Sequence, residues 1–189
     1  MQITDLKEIA PLFSGAIAAG ATILAVIVTS FFNLKVARLN IEAQSRQNAI
    51  ELKLAKLEEL FFLFDKWQVN LTNIYLLHLR CYKGKLEFIQ VMELIKEQTL
   101  LGPGDAQKYK MIMDIHFPSL KFAYASVEKA RRHLAPFLSD PKSSKLSADE
   151  FISYQVTFEK ACGAFKVHIS SLAHEPTSTS SNPSFKRDA

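Results

Sequence analysis

Apolar residues are concentrated near the N-terminus, where residues 9–34 contain no Asp, Glu, Lys, Arg or His. The most apolar part lies between Ile9 and Phe32. A helix needs about 20 mostly apolar residues to cross a hydrocarbon core of about 30 Å, and this segment is long enough to cross it with some tilt. We therefore predict that residues 9–34 form one transmembrane helix, preceded by a short extracytoplasmic tail of residues 1–8.

A cleaved signal peptide and a buried core helix are the alternatives for this segment. A signal peptide begins with basic residues and ends at small ones. This chain instead begins with Asp5, Lys7 and Glu8, and its apolar run is followed by Phe31 and Phe32. A buried helix of a soluble domain rarely extends this far without a charge. These features favour the membrane helix.

The positive charges near the two ends of the apolar segment predict its orientation. Only Lys7 precedes the segment, whereas Lys35, Arg38 and Arg46 follow it. Because the more positive side of a membrane helix stays in the cytoplasm, we predict an inner-membrane protein with its N-terminus outside and its bulk inside. Lys35 and Arg38 also lie where they can meet anionic headgroups, so membrane lipids are expected partners.

The helical pattern continues past the apolar segment, because no Pro or Gly occurs from Asn33 to Tyr82 and strong helix formers dominate. From inside the apolar segment onward, small or apolar residues recur every seven positions: Gly15, Thr22, Thr29, Val36, Ala43, Ile50, Leu57, Phe64 and Leu71. The companion series, three residues further on, is interrupted by Arg46 and Lys53. The pattern indicates either a coiled-coil stalk between subunits over residues 35–56 or an amphipathic helix packed within one bundle.

Small residues inside the apolar segment recur four positions apart, as in the pairs Gly15–Ala19 and Ala16–Gly20. This spacing lets two membrane helices approach each other closely. We therefore predict a homo-oligomer that associates through Gly15, Ala19, Gly20 and Thr22 in the membrane and through Val36, Ala43 and Ile50 beyond it.

Local signals in the rest of the chain predict an all-α fold, with a helical bundle over residues 57–174. Lys83-Gly84-Lys85 is a break, and a second helix follows over residues 86–101. Gly102-Pro103-Gly104 is a turn, with Asp105 as the expected N-cap of a helix over residues 106–138.

Two further signals divide the second half of the bundle. Pro118 should split the helix over residues 106–138, and Pro136 requires a distortion in its last turn. Ser147 and Glu150 form a capping box that opens a last helix to Ala173. Residues 175–189 are rich in Ser, Thr and Pro without an apolar period, so we predict a disordered tail.

The composition of single turns also predicts burial. The helix over residues 86–101 has apolar residues on more than one face, so it should be well buried. The aromatic turn of residues 60–64 should be enclosed on most sides. His78 is expected to be a core histidine bonded to a neighbour, and Cys81 and Cys162 are expected to be buried, reduced thiols.

No motif for catalysis, cofactors or metals is present. The chain lacks GxxxxGK[ST], GxGxxG and HExxH, and its two cysteines are unpaired. We therefore predict no enzymatic activity, no catalytic residues, no cofactor and no metal. The net charge of +4 is too small and too dispersed to indicate nucleic-acid binding, so nucleic acid is not an expected partner.

One basic cluster is dense enough to consider as a site. Lys129, Arg131, Arg132 and His133 lie within five residues of one predicted helix. Such a run is either a solvated face or a site for an anionic ligand, such as phosphate, nucleotide or anionic lipid, or for a protein partner.

The C-terminal run from Ser181 to Arg187, SNPSFKR, resembles the translated ends of bacterial reading frames in integron gene cassettes. The resemblance covers none of the predicted folded part. It implies mobile cargo, a class that often includes defence and stress genes, and it implies no mechanism.

The sequence is compatible with two functions. The first is a non-enzymatic, self-associating membrane protein whose cytoplasmic domain senses a ligand or partner, with a membrane-acting effector of antiviral defence or stress as its more specific form. The alternative is a membrane-anchored scaffold that recruits a partner protein.

Overall fold

A computed structural model describes residues 3–97 and 102–174, and it describes side chains for residues 14–15, 17–97 and 102–174. Of the predicted N-terminal tail, residues 1–2 lie outside the described residues. The predicted C-terminal tail of residues 175–189, with its cassette-like run, also lies outside them. The chain divides into two compact units between Ile50 and Glu51, and each unit is described by itself.

The described residues are mostly helical and contain no strand, which confirms the all-α prediction. The α-helices are α1 (Ile3–Tyr82), α2 (Phe88–Glu97), α3 (Asp105–His116), α4 (Leu120–Leu134) and α5 (Ala148–His174). Two short 3-10 helices, Ala135–Leu138 and Pro141–Ser143, connect α4 to α5.

The first unit consists of α1 up to Ile50. Among the described residues, one helix is long and apolar enough to cross a membrane, and its most apolar window lies near the N-terminus with none of it buried. The large apolar side chains of this window are all exposed: Ile17, Ile23, Leu24, Val26, Ile27, Val28, Phe31, Phe32 and Leu34.

Local sequence signals place the helix ends of the second unit. α1 ends in a Schellman motif, with Gly84 at a left-handed φ of 65°; Gly84 N–H donates to Cys81 C=O at 2.9 Å and Lys85 N–H to Arg80 C=O at 2.9 Å. Pro118 stands in the turn that separates α3 from α4. The predicted break and the predicted split are both confirmed.

The predicted capping box is also confirmed. Ser147 N–H donates to Glu150 Oε2 at 3.0 Å, and Glu150 N–H donates to Ser147 Oγ at 3.2 Å. Pro136 lies in the 3-10 helix that follows α4, which is the distortion expected there.

The prediction that Asp105 is the N-cap of α3 is wrong. Gly104 occupies the cap at a φ of 85°, which its missing Cβ permits, and Asp105 is the first helical residue. Its carboxylate instead accepts hydrogen bonds from Gly102 N–H at 2.9 Å and from Lys66 Nζ at 2.7 Å. The acidic side chain therefore connects α3 to α1 instead of capping its own helix.

Aromatic rings form the core of the second unit. The Phe64 ring lies 4.7 Å from that of Phe165 on α5 and 5.8 Å from that of Tyr109 on α3, measured between centroids. Tyr75 meets Phe158 edge-on at 5.5 Å. From Leu57 onward, the seven-residue series thus lies in the core of its own chain, as an amphipathic helix in a bundle requires.

Two burial predictions are wrong. Leu60 and Phe64 are fully buried, but Phe62 is 66% exposed and Phe61 is 37% exposed. Helical rotation turns Phe62 away from the core and leaves Phe61 at its edge, in a pocket that it lines with residues of α5. In α2 only Val91 is buried, since this short helix packs by one face against Leu77 and Cys81. α2 also begins at Phe88, two residues later than predicted, and residues 98–101 lie outside the described residues.

Candidate functional site

The residues predicted to mediate self-association lie in the first unit. Gly15, Ala19, Thr22, Val36, Ala43 and Ile50 are exposed and Gly20 is half-buried. A Cβ added at Gly15 or Gly20 would meet nothing within 4 Å, so nothing in the described structure covers these glycines. Thr22 Oγ1 donates to Ala18 C=O at 2.9 Å, so its hydroxyl proton is already used.

These residues do not all share one side of the helix. At about 100° per residue, Gly15, Ala19 and Thr22 lie on one side, whereas Gly20 is rotated by about 140° from Gly15. The seven-residue series beyond the apolar segment, Val36, Ala43 and Ile50, drifts only slowly from the side that Thr22 occupies.

The basic cluster of α4 is partly neutralised by one carboxylate. Arg131 donates to Glu128 through Nη2 at 2.7 Å and Nε at 3.1 Å, and Arg132 Nε lies 3.7 Å from the same side chain. The hydrogen bond to Arg131 lowers the pKa of Glu128 and raises the pKa of Arg131. Glu128 is therefore an anion at neutral pH, and Arg131 is fixed in position by it.

The structure does not bring the four predicted basic residues to one site. Arg131 is half-buried and faces α1 and α3, whereas Lys129, Arg132 and His133 line a shallow surface groove beside Ala125. Arg132 is 77% exposed in its side chain, and His133 stacks on Tyr154 at a centroid distance of 5.3 Å. Consecutive helical residues differ by about 100° in direction, so the two arginines line different pockets although both lie within 4 Å of Glu128.

Arg131 contributes to a cavity of about 220 Å³ between three helices. Its lining comes from α1, α3 and α4: Trp67, Leu71, Ala106, Gln107, Tyr109, Lys110 and Arg131. Lys110 Nζ lies 5.9 Å from the centroid of the Tyr124 ring, and no ion pair of Lys110 occurs within residues 14–97 and 102–174. The cavity thus combines aromatic walls with two cations.

Two buried tyrosines meet beside this cavity. The hydroxyl oxygens of Tyr109 and Tyr124 are 2.7 Å apart. Burial raises the pKa of both side chains, so both hydroxyls keep their protons at physiological pH. One proton lies between the two oxygens, and the other finds no acceptor in the part of the chain that the structure describes.

The tyrosine pair leads to a stability prediction. Tyr109→Phe and Tyr124→Phe should each cost about 1–3 kcal/mol of unfolding free energy, because each leaves a single buried hydroxyl without a partner. The double variant should cost less than the two single changes together, because it removes both polar groups. Urea unfolding of all four proteins gives the coupling energy. Strictly additive losses would contradict the hydrogen bond between the hydroxyls.

The other candidate polar residues are in the core. His78 is buried, and its Nδ1 has no hydrogen-bond partner among the described residues. The predicted bond to a neighbour is therefore not found at this atom. Burial lowers the pKa of the His78 imidazole. Cys81 and Cys162 are buried and free, which confirms their predicted burial. Burial raises the pKa of both thiols, that of Cys162 to about 12, so they are poor nucleophiles.

Sequence reasoning missed most of the cavity. Three of its residues lie on α3, namely Gln107, Tyr109 and Lys110. The sequence predicted none of them as site residues, because the basic run of α4 is denser. The only local signal was the alternation of aromatic and basic residues in Lys108-Tyr109-Lys110, which many exposed helices share.

Neither a metal site nor a similarity to a known protein points to a function for this chain. Over the described residues, no group of three His, Cys, Asp or Glu side chains is arranged to hold a metal ion. No family model, curated protein or solved structure matches the chain.

Proposed function

We propose that this chain is a non-enzymatic, single-pass protein of the cell inner membrane. Its N-terminus lies outside, and its helical domain from Leu57 onward lies in the cytoplasm and senses an anionic ligand or a partner. The protein self-associates through α1. A membrane-acting defence or stress effector is the more specific form of this proposal.

The exposed apolar window of α1 is the observation that carries the proposal. Its residues from Ile17 to Leu34 are exposed, apart from the half-buried Gly20. Leaving one large aliphatic side chain in water instead of burying it costs about 1.5–3 kcal/mol. A continuous surface of this kind requires lipid or another protein around it, and its length and lack of charge fit lipid.

The charges after the window support the orientation. Lys35, Arg38 and Arg46 lie within the twelve positions that follow it, and all three are exposed. Positive residues close to the end of a membrane helix resist transfer across the bilayer, which keeps residues from Lys35 onward in the cytoplasm.

Exposed small and apolar residues support self-association. Lipid gives no hydrophobic drive for helix pairing, so close packing of small residues supplies the attraction. Gly15, Ala19 and Thr22 offer such a side inside the window, while Val36, Ala43 and Ile50 offer an apolar side beyond it. The latter would be covered in a parallel coiled coil.

A cysteine-crosslinking experiment tests the side on which the helices meet. Thr22→Cys, Val36→Cys and Ala43→Cys should each form disulfide-linked dimers in membranes under mild oxidation. Matched controls lie two residues further on, roughly opposite on the helix: Leu24→Cys, Arg38→Cys and Ser45→Cys. These should crosslink much less, because about 200° of rotation turns them away from a partner helix.

Equal crosslinking on both sides, or no crosslinking at all, would contradict the proposed interface. Cys81 and Cys162 are buried, so the wild-type chain serves as the background for crosslinking.

Induced expression separates the two functional forms, effector and scaffold. An effector dissipates the membrane potential, whereas a scaffold that recruits a partner leaves it unchanged.

A further inference from the structure

The cavity between α1, α3 and α4 holds more hydrogen-bond donors than acceptors. Arg131 donates one proton from Nε and one from Nη2 to Glu128, so three guanidinium protons remain free to bind another acceptor. Lys110 adds an ammonium group without an ion pair among the described residues. With Glu128 as the local anion, these three side chains carry a net charge of about +1.

The tyrosine pair adds a donor that the described fold leaves unused. Two hydroxyl groups share one O···O contact of 2.7 Å, so one of their two protons needs an acceptor from elsewhere. A buried donor without a partner is costly and rare in folded proteins. When Tyr124 is the donor of this contact, the spare proton belongs to Tyr109, which lines the cavity.

The remaining walls of the cavity are apolar. Trp67 is almost fully buried and lines it together with Leu71 and Ala106, while the exposed side chains of Gln107 and Lys110 stand toward solvent. A volume of about 220 Å³ corresponds to about seven water-sized groups. This room suits a compact molecule and is smaller than the usual pocket of a drug-sized ligand.

We propose that this cavity binds a free, small oxyanion with a compact apolar body, such as an aryl or alkyl carboxylate or phosphate monoester. The anionic head meets Arg131 and Lys110, and the body lies against Trp67 and Leu71. This inference rests on the proposed function in one respect, since it names the ligand class and the site of the cytoplasmic domain.

The exposed groove of Lys129, Arg132 and His133 is the weaker site for such a ligand. Arg132 makes only a 3.7 Å contact with Glu128, and the aromatic side chain beside the groove, Tyr154, is already stacked on His133. Arg131 is held by two hydrogen bonds before any ligand arrives, so little side-chain freedom is lost on binding.

Trp67 is the only tryptophan of the chain and lines the cavity, so its fluorescence reports binding directly. The full chain in nanodiscs of zwitterionic lipid is titrated with benzoate, phenyl phosphate and inorganic phosphate. We expect a saturable change in Trp67 emission with benzoate or phenyl phosphate. Inorganic phosphate should bind more weakly, because it leaves the apolar wall uncovered.

Charge-removing variants locate the site. Arg131→Gln and Lys110→Gln should each weaken binding about tenfold or more, since each removes a charged hydrogen-bond donor. Lys129→Gln is the matched control for Lys110→Gln, because it makes the same change at an exposed lysine of α4 that lines another pocket. It should change the affinity by about twofold or less.

Three results would overturn the proposal. They are no saturable change with any of the three probes, equal weakening by Lys110→Gln and Lys129→Gln, or a response that appears only when anionic lipid replaces zwitterionic lipid in the nanodisc. Circular dichroism and the unfolding midpoint show that each variant is folded, and Lys110→Gln removes no ion pair among the described residues. Failure of the membrane anchor is distinguishable, because the chain would then not enter nanodiscs at all.

Discussion

Phe64→Ala will destabilise the second unit by about 3–5 kcal/mol, a large part of the stability of a domain of this size. The Phe64 side chain is fully buried, and its ring contacts rings of α1, α3, α4 and α5, namely Trp67, Tyr109, Tyr124 and Phe165. Removing it leaves a cavity at the point where the four helices meet, and the surrounding rings can close that cavity only in part.

Phe62→Ala is the matched control, because it makes the same chemical change two residues away on a side chain that is 66% exposed. Its cost should be within about 0.5 kcal/mol. Chemical unfolding of both variants in the same detergent or nanodisc gives the two values. Similar losses for Phe62 and Phe64 would mean that both faces of this turn are covered, contrary to the structure.

Placing arginine at Ile23 and Ile27 together will prevent stable membrane insertion. Each charge near the centre of a membrane helix costs about 2.5–3.5 kcal/mol on insertion scales, so the pair costs about 5–7 kcal/mol. The wild-type chain should stay in the membrane pellet after alkaline extraction, and the double variant should move to the soluble or aggregated fraction.

Ile41→Arg with Leu39→Arg is the control for general loss of apolar surface. Both side chains are exposed and aliphatic, and both lie beyond the charge-free segment. This variant should remain in the pellet like the wild type. Release of both double variants, or of the wild type, would show that the apolar window does not cross a bilayer.

Local chemistry made several helix ends predictable from sequence. A glycine such as Gly84 can adopt the left-handed conformation that ends a helix, Pro118 cannot continue one, and Ser147 with Glu150 caps one. The bonds that decide each of these ends lie within a few residues, so no knowledge of the tertiary fold is needed.

Burial could not be predicted in the same way. An apolar residue such as Ile89 or Phe62 is equally apolar whether or not another helix lies against it, and the partner of each face is set by long-range packing. The cap of α3 was mispredicted for a related reason, because Lys66, which is distant in sequence, draws the Asp105 carboxylate to itself.

The candidate site was predicted only in part. The run at the end of α4 identified Arg131, but sequence proximity alone grouped it with Arg132, which faces another way. Tyr109 and Tyr124 are fifteen residues apart and on different helices. Their contact depends on how the chain turns at Pro118, which no local pattern specifies.

Cysteine accessibility on the two sides of the membrane tests the proposed single-pass anchor most directly. Gln2→Cys and Ser45→Cys flank the apolar segment, and the native cysteines are buried. In intact cells a membrane-impermeant maleimide, applied after the outer membrane is permeabilised, should label Gln2→Cys at once and label Ser45→Cys only after lysis. Labelling of both positions before lysis, or of neither until lysis, would contradict a single crossing with the helical domain in the cytoplasm.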